Sequence, residues 1–157
     1  VKDLGDQSGA LTQLCPGTRV IAEGPYGVFT ANARRTPRIV AFAAGVGITP
    51  IRALLDDVPP SVDVTLVYRI ATTGAGSVAL GDELEAIFSR RGWKLIYLPG
   101  PRSTYALSVD YLTGLVPQLQ SSDVYVCGPR SFADAIRSAS RIAGVPARRI
   151  HYEAFSF

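Results

Sequence analysis

The residues best suited to chemistry lie in Ala43-Ala-Gly-Val-Gly-Ile-Thr-Pro50, between a short β-rich run and an apolar-periodic stretch. Gly45 and Gly47 have no Cβ, so the backbone can turn sharply there and approach a bound group closely. Val46, Ile48 and Thr49 carry the chain through the turn into a helix. The first N–H groups and positive dipole end of that helix suit a pyrophosphate. Pro50 falls in the first helical turn, where its missing N–H costs nothing. The third glycine of the dinucleotide fingerprint is absent, and no lysine serves a P-loop. A plain glycine turn between strand and helix therefore stays open as an alternative.

Other candidates sit beyond later apolar runs. Cys127-Gly128-Pro129 ends one of them, at the edge of a parallel sheet where ligands bind. The thiol is small and polarizable enough to touch a ligand ring, or it is a buried cysteine before a turn. Arg69 follows Val64-Thr-Leu-Val-Tyr68, where dinucleotide folds approach the adenosine ribose. Arginine there favours a 2′-phosphate and no acidic side chain ends the run, so NADPH is expected over NADH. A solvated surface arginine is the alternative. At the C-terminus, Glu153 has the chemistry to handle a proton and Phe155 to stack on a planar cofactor, unless both are packing residues. His151 is the only histidine. With no cysteine pair at ligand spacing, a metal site has no support. No serine sits in a nucleophile elbow.

Elements that position these residues are legible from about residue 38. Strand-like runs cover 38–43, 64–68, 94–98, 123–127 and 149–153. Helical patterns lie between them: 48–55, 81–88 with Leu84, Ile87 and Phe88 on one face, a short helix capped by Ser108, and 131–143 before Gly144 and Pro146. Strands apolar on both faces and separated by helices predict an α/β fold. It is a doubly wound, five-stranded, Rossmann-like parallel sheet with ligand at the carboxyl ends of the strands. Residues 1–33 break the pattern. Thr18 to Gly27 reads as a strand ending in a tight turn, with no helix partner, and 34–37 as a boundary.

Composition narrows the class. The 157 residues are 47% hydrophobic and 18% charged, enough for a real core and too apolar for a disordered chain. Of 16 basic residues only Lys2 and Lys94 are lysines, and the arginines are scattered without a basic, aromatic-interleaved stripe. Nucleic-acid binding is therefore not expected. Cys15 and Cys127 sit in cytosolic-looking contexts without a secretory signal, which points to a cytoplasmic location. No apolar run is long enough to span a membrane. The chain begins at Val1 and has no methionine, which reads as a piece of a longer protein.

Together Gly24-Pro-Tyr-Gly27, Ala44-Gly-Val-Gly-Ile-Thr-Pro50, Val67-Tyr-Arg69, Cys127-Gly-Pro129 and Glu153-Ala-Phe155 occur in an order that resembles the ferredoxin–NADP reductase family. Within it, the ferric reductase and NADPH oxidase branch looks closest. The resemblance covers nearly the whole chain. It implies that residues 1–33 are the end of an antiparallel FAD-binding barrel and 34–157 an NAD(P)-binding domain. It also implies that Gly5, Gln7 and Ser8 belong to an element holding the FAD pyrophosphate. The family's Arg-x-Tyr-Ser/Thr flavin motif is absent. By resemblance, residues 45–50 cradle the nucleotide pyrophosphate with Gly128 and Pro129 nearby. Cys127 lies at the nicotinamide, Phe155 covers the flavin ring, and Glu153 assists hydride transfer. The expected cofactors are NADPH, with NADH as alternative, and FAD in the parent protein. Electrons would pass to a haem-bearing membrane domain of the same parent, leaving this domain on the cytosolic face. A soluble reductase serving a ferredoxin or oxygenase component, or an NAD(P)H-sensing module, are the other readings.

Overall fold

Five β-rich runs become the strands of one parallel sheet in the computed structural model, which describes residues 6–21, 29–70, 78–101 and 103–155. The strands are β1 (Arg38–Ala44), β2 (Asp63–Ile70), β3 (Lys94–Pro99), β4 (Asp123–Pro129) and β5 (Ile150–Phe155). Their order is β3-β2-β1-β4-β5, and every pairing is parallel. The chain leaves β1 in one direction to build β2 and β3. It then crosses back to build β4 and β5 on the other side. Carboxyl ends at such a reversal diverge and leave a crevice. Here the crevice opens beside β1 and β4.

Why the strands are apolar on both faces follows from the layers. Ile39, Ala41 and Ala43 of β1 point into one core with Leu66, Tyr68, Leu84 and Phe88. This core is closed by α2 (Ile48–Asp56) and α3 (Gly81–Arg91). Val40, Phe42 and Ala44 point into the other, with Val126, Leu112 and Ile136, under α4 (Val109–Leu115) and α5 (Arg130–Ile142). Alternation in β1 thus sends successive side chains from Ile39 to Ala44 to opposite cores, and only Arg38 at its start is polar.

Local sequence sets the helix ends. In α5 the buried positions Phe132, Ala133, Ile136, Ala139 and Ser140 form one stripe at helical spacing. α3 carries Asp82 and Glu83 in its first turn and Arg90 and Arg91 in its last, matching the helix dipole. It stops at Gly92, whose φ of +66° favours glycine. Ser108 caps α4 as the sequence predicts, its side chain accepting from the Tyr111 N–H at 3.2 Å. Strand ends extend one or two residues beyond the sequence reading, so Arg69 lies inside β2 rather than after it.

The N-terminal segment departs from expectation. A seven-residue helix, α1 (Asp6–Thr12), forms where none is expected. Residues 18–21 form no strand, and 22–27 lie outside the described residues. A strand needs a neighbour for its N–H and C=O groups, and none of the described residues pairs with 18–21. Cys15 is exposed, Cys127 is buried and both are free thiols.

Candidate nucleotide-binding site

The glycine turn after β1 is built by two constraints that differ in kind. Gly45 has φ +56°, a backbone that side chains disfavour. The Tyr68 hydroxyl lies 3.4 Å from the Gly45 carbonyl, which it reaches as donor. Gly47 has ordinary helical φ and ψ, yet a Cβ there would lie 2.2 Å from the Cys127 carbonyl oxygen and 2.8 Å from the Gly128 nitrogen. The turn is therefore pressed against the end of β4, and only hydrogen fits between them. Residues 45–47 form a 3-10 turn that runs straight into α2, with the Thr49 hydroxyl donating to the Val46 carbonyl at 2.9 Å. Val46 is half-exposed, whereas Ile48 is fully buried and serves the core through its side chain.

β4 delivers a second helix to the same place. It ends at Pro129, and α5 begins at Arg130 without an intervening loop. Neither α2 nor α5 has a side chain hydrogen-bonded to its first N–H groups, and neither carries an acidic residue in its first turn. α4, by contrast, has both a capping side chain and an acid there, and α3 has two acids. Both helices at the sheet's reversal thus start without an acid or a capping side chain; the Ile48 N–H is bonded to the Gly45 and Val46 carbonyls, so the 3-10 turn of 45–47 forms the leading end of α2.

Between the glycine turn and the start of α5 opens a cavity of about 440 Å³, a size typical of small-molecule sites. Ala44 and Gly45 of the turn form one wall, and Pro129, Ser131 and Phe132 at the start of α5 form another. Arg69 of β2 lines it too, with its side chain largely buried. The remaining wall is the loop after β3, with Gly100 (φ +117°), Pro101 and Leu107. Sequence motifs do not single out Gly100, Pro101, Leu107, Ser131 or Phe132. The signal available for them is position alone, just past the carboxyl ends of β3 and β4.

The remaining candidates divide. Cys127 pairs in register with Glu153 of β5, so these two residues are neighbours across the strands. Burial, reinforced by the Glu153 charge, pushes the Cys127 thiol up to about 12, and the Gly128 N–H pulls weakly the other way. That thiol is neutral at physiological pH and is no nucleophile. Glu153 is exposed. The backbone of Phe155 pairs with Pro129, and its side chain lies outside what the structure describes. Gly5 is outside the described residues, while Gln7 and Ser8 lie in α1. His151 faces Asp123 at the opposite end of the sheet, with Nε2 at 3.0 Å from Oδ1. Among the described residues no group of three or more His, Cys, Asp or Glu is placed to hold a metal ion. Nor is any described helix long and apolar enough to cross a membrane.

An open parallel sheet with a glycine turn and two acid-free helix starts at its reversal defines a doubly wound, nucleotide-binding type of α/β domain. No family model matches the chain. It is 30% identical over 142 residues to the flavohemoprotein of Chromobacterium violaceum, covering 83% of this chain and 35% of that protein. It is 32% identical over 142 residues to the ferredoxin reductase component of 3-ketosteroid-9-alpha-monooxygenase from Mycobacterium tuberculosis, covering 88% and 39%. Among solved structures, the cytochrome b5 reductase domain of Ulva prolifera nitrate reductase matches with a TM-score of 0.70 and 21% identity, over 95% of this chain and 65% of that one. The chain is similar to the ferredoxin reductase-like FAD/NAD-binding proteins that these relatives represent. It spans between a third and two fifths of the length of the curated relatives it matches.

Proposed function

We propose that residues 34–157 are the NAD(P)H-binding domain of a flavin-dependent oxidoreductase, and that residues 1–33 are the end of its flavin-binding domain. The observation that carries this reading is one cavity at the sheet's reversal, walled by the glycine turn that leads into α2 and by the uncapped, acid-free start of α5. An anionic diphosphate is the ligand that such donors and dipoles stabilise. The fit extends to Gly47, whose missing Cβ keeps the turn tight against β4, and to Arg69 in the cavity wall.

When bound, the nicotinamide nucleotide supplies a hydride for a flavin acceptor. What this chain contributes is placement. N–H groups of the glycine turn and of the start of α5 hold the diphosphate, residues 45–50 shape the backbone around it, and Gly128 and Pro129 hand the strand over to α5. Cys127, neutral and buried behind the turn, fixes the wall through its backbone contact with Gly47. Glu153 stands one strand away and carries a carboxylate to the carboxyl edge of the sheet, where it can hold a proton. Phe155 is proposed, on family resemblance, to cover the flavin ring. Gly5, Gln7 and Ser8 are likewise proposed to contact the FAD diphosphate.

Arg69 directs the choice of nucleotide. Arg69 lines the cavity from the strand that approaches the adenosine ribose, and a guanidinium there favours a 2′-phosphate. Arg69→Ala is expected to weaken NADPH about 10- to 100-fold, the loss of a charge-assisted hydrogen bond, and NADH far less. Calorimetric titration of both nucleotides checks this, and equal losses would refute the 2′-phosphate role. For the electron acceptor, motif resemblance favours a haem-bearing membrane domain of ferric reductase or oxidase type. The names of the relatives support a second reading, a reductase that serves a globin haem or an oxygenase system. Hydrophobic helices with paired histidines elsewhere in the parent protein would decide for the first.

A further inference from the structure

At the end of the sheet remote from the cavity, about 20 Å along β4, lies a polar cluster that nucleotide binding does not use. Asp123, fully buried at the first position of β4, accepts through Oδ2 from the Arg35 N–H at 2.9 Å and the Thr36 N–H at 2.8 Å. The Thr36 hydroxyl is also 2.8 Å from the same oxygen. Its other oxygen faces His151 Nε2. The Tyr125 ring stacks on His151 with centroids 4.3 Å apart, and its hydroxyl donates to the Thr30 carbonyl at 2.8 Å. Phe29 meets that ring edge-on, and Ala31 of the same segment is buried. β4, backed by His151 of β5, thus grips the strap at four residues, Phe29, Thr30, Arg35 and Thr36.

Burying a carboxylate is costly unless its lone pairs are satisfied, and an apolar pair would serve packing as well or better. What this carboxylate holds is the entry strap, the segment by which the chain reaches the nucleotide sheet. We propose that Asp123, Tyr125, His151 and Thr36 form a clasp that fixes the strap's direction, and that these are positioning residues for hydride transfer. This inference rests on the function proposed above, since the clasp sets where the flavin-bearing part stands relative to the nicotinamide. Effective reaction geometry is lost with displacements of about an ångström, so a loosened strap lowers the rate without touching the cavity.

The test uses Tyr125→Phe, which keeps both ring contacts, and Thr36→Val, with Thr36→Ser as the conservative control. In the isolated chain, amide exchange across residues 30–36 is expected to quicken about tenfold in the first two variants, the loss of one buried hydrogen bond. Exchange in β4 and in β1 beyond Arg38, whose N–H and carbonyl the Thr36 hydroxyl also meets, should stay unchanged, as should calorimetric NADPH affinity, and Thr36→Ser should behave as wild type. In the FAD-loaded full-length protein, flavin reduction at saturating NADPH should slow with the nucleotide Kd unaltered. Unchanged strap exchange overturns the clasp. A parallel loss of NADPH affinity or of sheet protection reduces these residues to general stability and overturns the positioning role. A wild-type chain that protects its strap yet binds no nicotinamide nucleotide keeps the clasp and sinks the functional reading instead.

Discussion

Gly47→Ala sets two effects against each other, and the structure decides between them. Gly47 has φ −60° and ψ −8°, a conformation alanine adopts freely. On backbone grounds alone the change would stabilise the protein by up to about 1 kcal/mol, by restricting the unfolded chain. The added Cβ, however, would lie 2.2, 2.5 and 2.8 Å from Cys127 O, Cys127 C and Gly128 N. All three are backbone atoms of a central strand, so no rotamer change relieves them, and turn and strand must part by more than an ångström. Overpacking of that kind costs about 1–3 kcal/mol, and an obstacle made of backbone puts it at the upper end. The net expectation is a loss of about 2 kcal/mol, or about 4–8 °C in Tm for a domain of this size. Urea unfolding should show a lower midpoint with unchanged slope. NADPH affinity should fall about tenfold, because the displaced turn carries its N–H groups with it. A midpoint at or above wild type would show that the β1–β4 crevice yields easily, and would refute the tight seating of the turn on β4.

Two further outcomes follow from features away from the turn. Gly114 is exposed inside α4, and a Cβ there would meet nothing within 4 Å, so Gly114→Ala should raise stability by about 0.5–1 kcal/mol in the same urea assay. Alkaline pH should destabilise the fold. The Cys127 thiol titrates near 9 when free and near 12 when folded, so both states are protonated below 9 and nothing is lost there. Above 9 the unfolded chain sheds a proton that the folded one keeps, and stability falls by about 1.4 kcal/mol per pH unit from this group. Burial raises the Tyr68 and Tyr125 phenols too, adding to the fall at higher pH. Cys127→Ala should shallow the decline between pH 9 and 10, and an unchanged slope would assign it elsewhere.

Sequence alone reveals whatever a single stretch of chain decides. The strand runs are apolar because both faces of the sheet are covered, and the helix at Ser108 starts where a capping side chain stands. The turn at 45–50 is visible because glycines there answer a local need as well as a distant one. The helix at 6–12 is not, because Asp-Gln-Ser-Gly-Ala-Leu-Thr has no apolar face at helical spacing. Ser131, Phe132 and Gly100 escape notice because their place in the cavity depends on strand order, which no local pattern encodes. His151 reads locally as an unassigned core or surface residue. Its partner lies 28 residues away, and the strap that Asp123 binds lies 87 and 88 residues from it.

The contact between Gly47 and Cys127 joins residues on either side of most of the domain, with β2, α3, β3 and α4 between them. Closing so long a loop is deferred in folding until local elements can repay its entropy. A chain emerging from the ribosome therefore has its glycine turn early but no binding wall until β4 and α5 have followed. On the proposed function, nucleotide occupancy is a late checkpoint: it stabilises only chains whose sheet is finished, by mass action on the native state alone. A domain that binds a nucleotide in this way accumulates in step with the supply of that nucleotide.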